Sequence, residues 1–139
     1  MLRERIHMRA YFGIKTYENY HNKERIIGIC DQLKLAGVDV LNLSRDMQLW
    51  GDVSIETSDF FAVRFREIKR ADFVVIDATE GCITLGVEVG FAKAFGKPVF
   101  VIADQSVMID PALEAAATHS FQYKGVKDIS GLVSTHWLE

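Results

Sequence analysis

Residues 72–103 read DFVVIDATEGCITLGVEVGFAKAFGKPVFVIA, and this stretch decides the architecture. DFVVIDA (72–78) is a short, unbroken apolar run closed by a carboxylate, the pattern of a strand buried on both faces of a parallel sheet. TEGCITLG (79–86) reads as a loop, and a helix follows from about Gly86 to Phe95. Gly96 supplies the stop, and Pro98 opens a second strand, PVFVIA (98–103). A strand, a crossover helix and a parallel strand form a right-handed unit that needs helices on both sides of its sheet.

The same alternation extends in both directions. RAYFGI (9–14) reads as a buried strand. Between Asn22 and Ala36 the residues Ile26, Ile27, Ile29, Cys30, Leu33 and Leu35 recur at helical spacing, with Gly37 as the stop. VDVLNL (38–43) alternates like a strand, and SRDMQLWGDVS (44–54) has turn chemistry. Ser58 or Asp59 is placed to cap a helix running to Arg70, with Phe61, Phe65 and Ile68 on one face. Beyond residue 103, Pro111 opens a helix to Ala117, SFQY (120–123) is an edge strand, and VKDISGLVSTHWL (126–138) is a final amphipathic helix. The expected fold is a flavodoxin-like or Rossmann-like α/β sandwich of three layers, with five parallel strands ordered 2-1-3-4-5. The whole chain, 1–139, reads as one domain, with 1–8 as a loose N-terminal extension.

Composition removes several function classes. The net charge is −3, and the 16 basic residues are scattered, so no basic footprint for a polynucleotide is visible. MLRERIHM at the N-terminus lacks the apolar core of a signal peptide, and no segment has the roughly 20 apolar residues of a membrane span. A cytoplasmic protein is expected. Cys30 and Cys82 form no CxxC, and His7, His21, His119 and His136 are dispersed, which predicts neither a disulfide framework nor a metal site. Neither a G-x-x-x-x-G-K-[ST] loop nor a G-x-G-x-x-G after the first strand is present, which argues against an NTPase or a dehydrogenase.

In an open sheet of this order, ligands bind beyond the carboxyl ends of the strands where the order reverses, here between the first and third. That points to Gly13–Tyr17, Asn42–Asp46, Asp77–Gly86 and the helix holding Glu88, the one charge between Gly81 and Ala92. A carboxylate in the first turn of a helix is favoured by the macrodipole and kept ionised, which suits a nucleophile. It equally suits a surface residue that compensates the dipole. Gly86 and Gly90 on either side are expected to permit close approach of a ligand and a strand.

GVEVGFAKAFGKPVFVI, with KRADFVVIDAT before it and MRAYFGIKTYENYHNKERIIGICDQLKLAG at the start, resembles the nucleoside 2-deoxyribosyltransferase family over roughly residues 8–103. The likeness is strongest to the branch that includes the deoxynucleoside 5′-monophosphate N-glycosidases. It implies that Glu88, in the G-x-E-x-G-x-A segment, is a nucleophile toward the anomeric carbon, and that GIKTYENYH forms the loop over the sugar, with Lys15 and Tyr17 near its 5′ end. It also implies a homodimer or larger assembly, a nucleoside or nucleotide as small-molecule partner, and no cofactor. Two positions depart from the family pattern. An Asp eight residues before Asp72 is replaced by Arg64, and a Ser or Asp six residues before the glutamate is replaced by Cys82.

Glu88 and Asp77 are thus the candidate catalytic residues. Tyr11, Gly13, Lys15, Tyr17, Arg64, Cys82, Thr84 and Gly86 are the candidate substrate contacts. Glu80, Asp46 or Asp59 stand as alternative carboxylates, Tyr20 and Trp50 as rings that stack on a base or pack within the domain, and Phe60 as core. The leading function is cleavage or exchange at an N-glycosidic bond. The rivals are a nucleotide-binding module that has lost the chemistry, favoured by Arg64, and an NAD-type glycohydrolase.

Overall fold

The computed structural model describes residues 8–137, and of 136 and 137 the backbone alone. Five parallel strands, β1 (Met8–Ile14), β2 (Val38–Leu41), β3 (Phe73–Asp77), β4 (Val99–Asp104) and β5 (His119–Tyr123), form one sheet in the order β2-β1-β3-β4-β5. The helices α1 (Lys23–Leu35), α2 (Phe60–Arg70), α3 (Ile83–Ala94), α4 (Pro111–Ala116) and α5 (Ile129–Trp137) fill the crossovers and the C-terminal end. This is the flavodoxin-like arrangement expected from the alternation. Of the expected N-terminal extension, residues 1–7 and with them His7 lie outside the described residues, while Met8 already pairs with Val38.

Alternation along the strands divides the core into two layers. Ala10, Phe12, Phe73, Val75, Phe100 and Ile102 pack with Ile26, Ile29 and Leu33 of α1 and Ile129 and Val133 of α5. Tyr11, Val74, Ile76, Val99 and Val101 pack on the other side with Ile68 of α2 and Leu85, Val89 and Ala92 of α3. Every residue of β3 is buried, as its unbroken apolar pattern requires. Two glycines end their helices with positive φ, Gly37 at 88° after α1 and Gly96 at 69° after α3. Each donates its N–H back into the last turn, a geometry that a side chain disfavours.

Of the differences from the sequence reading, those in three elements have a clear local reason. α3 starts at Ile83, a turn earlier than Gly86, because Leu85, Val89 and Ala92 make one buried stripe that begins before the glycine. β2 stops at Leu41, since the Asn42 side chain accepts from the Arg45 N–H and caps a single π-turn over Leu43–Met47 within the expected loop. In α2 the buried residues are Arg64 and Ile68. Phe61 and Phe65 turn instead toward α3, where Phe65 lies flat on Phe91 at 3.9 Å between ring centroids. Neither Ser58 nor Asp59 makes the expected cap, because a short 3-10 turn, Thr57–Asp59, feeds the chain into α2.

Asp77 at the end of β3 alternates onto the α1/α5 layer. There it accepts from the Tyr123 hydroxyl at 2.6 Å and the Thr79 N–H at 2.8 Å, tying β3 to β5 across β4. Burial and the Asp77 carboxylate hold the Tyr123 phenol well above its usual pKa, so it remains a donor. Replacing Tyr123 by Phe leaves this buried carboxylate with one donor fewer, at a cost of about 2 kcal/mol. Tyr123→Phe is expected to unfold at lower denaturant concentration with an unchanged slope, and a midpoint equal to the parent's would refute the tie.

Candidate active site

The carboxyl ends of β1 and β3 open into a cleft of about 370 Å³. The chain leaves these two strands in opposite directions, so no crossover covers the gap between them. β1 contributes Tyr11 and Gly13, and the following loop contributes Lys15 and Tyr17. Asn42 and Ser44 come from the turn after β2, Phe60 and Arg64 from α2, Cys82 from the residue before α3, and Thr84 and Glu88 from α3.

Glu88 is the centre of this arrangement. It lies in the second turn of α3 on the buried stripe with Leu85 and Val89, and is 2% exposed. The expectation of a first-turn carboxylate kept ionised by the helix dipole is therefore corrected. Burial dominates and pushes the Glu88 carboxyl up to about 7, against the opposing effects of the Tyr11 hydrogen bond and the Arg64 charge. The Tyr11 hydroxyl donates to Glu88 Oε2. Burial, followed by the Glu88 charge, holds the Tyr11 phenol well above its usual range, so the ring keeps its proton and orients the carboxyl.

The glycine that matters for close approach is Gly13. A Cβ there would stand 2.8 Å from Ile76 Cδ1 and 3.2 Å from both Glu88 oxygens. Gly86 and Gly90 are exposed with nothing near, and Gly86 does not line the cleft, because the earlier helix start turns it to the outer face. Asp77 is also kept out of the cleft, on the opposite side of the sheet from Glu88 and held by Tyr123. Among the alternative carboxylates, Asp46 binds Arg45 and the Asn42 N–H, while Glu80 and Asp59 are exposed away from the cleft. Besides Glu88, the cleft carboxylate among the described residues is Glu18, exposed at the rim.

Arg64 comes into the cleft from α2, 6% exposed. Its Nη1 donates to the Phe60 carbonyl at 2.9 Å, and its guanidinium lies 3.6 Å from the centroid of the Phe60 ring. It makes no ion pair with Glu88. Phe60, read from sequence as core, is thus a wall of the site, and its i, i+4 spacing from Arg64 was the available signal. Gln48 is another lining residue that the sequence did not single out, and its buried Oε1 has no partner among the described residues. Lys15 lies over the Tyr17 ring at 4.9 Å, and the Lys15 carbonyl is held by Asn22 Nδ2.

Tyr20 also lines the cleft, whereas Trp50 packs edge-on against Tyr20, with their centroids 5.9 Å apart. Gly51, at φ 101°, permits that approach, since a Cβ there would be 3.2 Å from Tyr20 Cε2. Cys82 is the extended residue before α3 and is half-buried at the cleft. No group of three His, Cys, Asp or Glu side chains is placed to hold a metal among the described residues, and none of their helices is long and apolar enough to cross a membrane.

No family model matches the sequence, and no curated protein matches it. Solved structures do match. A CMP N-glycosidase from Clostridium botulinum superposes with a TM-score of 0.65 at 15% identity, covering 92% of this chain and 98% of that one. A 2-deoxyribosyltransferase from Bacillus psychrosaccharolyticus gives a TM-score of 0.70 at 18% identity, covering 88% and 90%. A conserved protein from Enterococcus faecalis gives 0.61 at 13%, covering 91% and 88%. The fold is the one these proteins share.

The raised Glu88 carboxyl has a consequence for stability. Its pKa is about 7 in the folded chain against an ordinary value of 4.5, so the folded state binds the proton more tightly. Stability from this group is therefore present at low pH and is lost as pH rises through that interval, by roughly 3 kcal/mol. Glu88→Gln keeps an acceptor for Tyr11 without the charge. It is expected to melt about 5–10 °C above the parent at pH 8, with the gap closing by pH 5. Equal melting temperatures at pH 8 would show that the carboxyl is not penalised by burial.

Proposed function

We propose that this chain is an enzyme of the nucleoside 2-deoxyribosyltransferase kind, acting on the N-glycosidic bond of a nucleoside or nucleoside 5′-monophosphate. The observation that carries the reading is a buried glutamate, oriented by a phenol, facing a cleft at the switch point of the sheet. The likeness of fold to a CMP N-glycosidase and a 2-deoxyribosyltransferase supports it, as does the resemblance of the segments around Glu88 and β1.

In this reading ionised Glu88 attacks the anomeric carbon. A C–O bond forms, the C–N bond breaks, and the base leaves with the bonding pair and takes a proton from solvent at the cleft mouth. Water, or the nitrogen of a second base, then attacks the same carbon, gives up a proton and releases Glu88. Tyr11 is a positioning residue: its O–H fixes the carboxylate and favours the charged form. Lys15 and Tyr17 face the 5′ end of the sugar, and Cys82 and Thr84 contact the ligand from the start of α3. No cofactor enters this route, because the carboxylate supplies the nucleophile.

A homo-oligomer belongs to the same proposal. Ile83, Val87 and Phe91 of α3 and Phe95 at its C-terminal cap recur every four residues, and Ile83 is 86% and Phe95 49% exposed. This ridge runs along the helix that carries Glu88, so a second copy seated on it would sit beside the cleft. Light scattering coupled to size exclusion is expected to give a dimer or larger, and a monomer at micromolar concentration would remove this part of the reading.

The activity is tested by chromatographic detection of free base after incubation with nucleosides, deoxynucleosides, their 5′-monophosphates and NAD. Base release by the parent and its loss by at least a hundredfold in Glu88→Gln are expected. Release that survives in the variant rules Glu88 out as nucleophile. Ligand binding with no release from any substrate would replace cleavage with the rival reading, a binding module.

A further inference from the structure

Arg64 is a cation whose counter-charge is not supplied by the described residues. A guanidinium has five N–H donors, and among the described residues one hydrogen bond is made, to the Phe60 carbonyl. The ion pairs among the described residues join Arg45 to Asp46 and Arg66 and Arg70 to Glu67, and none reaches Arg64. An uncompensated charge this deeply buried is costly, so its retention calls for an anion that arrives with the ligand. The Phe60 face fixes the guanidinium plane in advance, which suits the two parallel bonds that a carboxylate or phosphate accepts.

Glu88 does not fill this role. Its carboxyl accepts from Tyr11, and no nitrogen of Arg64 is within ion-pair distance of it. Yet the Arg64 charge is felt at both Glu88 and Tyr11, which places it at the reacting end of the cleft. Lys15, on the loop after β1, is left to serve the 5′ end. We propose that Arg64 binds an oxyanion carried beside the glycosidic bond, so that the substrate is a nucleotide with an acidic group on the base or at the sugar 2′ position. This assignment rests on the reading of Glu88 as the group that meets the anomeric carbon.

The test is calorimetric titration of the Glu88→Gln protein, expected to bind without turnover, using matched ligands at fixed ionic strength. Orotidine 5′-monophosphate against uridine 5′-monophosphate differs by a base carboxylate next to the glycosidic nitrogen. Adenosine 2′-monophosphate against adenosine differs by a 2′-phosphate. In one of these pairs the acidic member is expected to bind at least tenfold more tightly, and the pair that responds names the source of the anion. Adding Arg64→Met is expected to bring that pair to parity. Arg64→Lys, which keeps the charge and loses the fork, should retain part of the preference and serves if the Met variant does not fold.

Equal affinities within both pairs, or a preference that survives loss of the guanidinium, would overturn the assignment. So would a gain confined to a 5′-phosphate, read by titrating uridine beside its 5′-monophosphate. Failure here with base release intact removes Arg64 as an anion site and leaves the glycosidic reading. An acid preference without base release from any substrate does the opposite.

Discussion

A carboxyl group on the buried stripe of α3 is the constraint on which the crevice depends. Leu85, Val89 and Ala92 must face the sheet to build the α2/α3 layer, and Glu88 shares their side of the helix. It is thereby carried under the end of β1, into a place where a charged group is disfavoured. Two features make that placement tolerable. Tyr11 offers a buried O–H, and Gly13 leaves the space that any side chain would take from the carboxylate. Both belong to β1, whose alternation sends positions 11 and 13 to the same face. The site is therefore a property of two packed elements in register, not of a mobile loop.

The opposite layer shows what becomes of a carboxylate that the site does not use. Asp77 ends the neighbouring strand and is as buried as Glu88, yet its oxygens are occupied by Tyr123 and the Thr79 N–H. Thr79 also accepts from the Asp104 N–H, so the group knits together the carboxyl ends of three adjacent strands. One acid stiffens the rim of the sheet, and the other is left with an oxygen that faces the cleft. The difference follows from strand parity and from the presence of Tyr123 on β5.

Much of this was legible in the sequence. The apolar runs at 9–14, 72–78 and 98–103, with Gly37 and Gly96 as stops, contain the information for strand order and for the crevice, and Glu88 stands out as the one charge in an apolar segment. The environment of Glu88 was not legible, because its depth depends on the turn at which α3 begins. A start at Gly86 puts it in a polarised first turn, and a start at Ile83 puts it on the core stripe. Asp77 was misplaced for a related reason, since both sides of a fully buried strand look alike in an unbroken apolar run. Phe60 was hidden because aromatic residues at helical spacing read as core, although its spacing from Arg64 permits a ring-on-guanidinium contact.

The charge at position 64 changes the electrostatic character of the cleft. A carboxylate there would add like-charge repulsion to the burial already acting on Glu88 and drive its proton affinity higher. A guanidinium acts in the other direction, and together with Tyr11 it offsets part of the effect of burial. Because Arg64 does so without an ion pair, Glu88 Oε1 is left without a hydrogen-bond partner among the described residues. The same absence of pairing leaves the guanidinium fork open, so one residue both lowers the proton affinity of Glu88 and alters what the cleft attracts. An anion docked on Arg64 would withdraw part of that offset and raise the proton affinity of Glu88 as the ligand arrives. On the proposed glycosidic reading, a substrate bound there would therefore be cleaved best at a pH above the point where Glu88 of the empty cleft is half ionised.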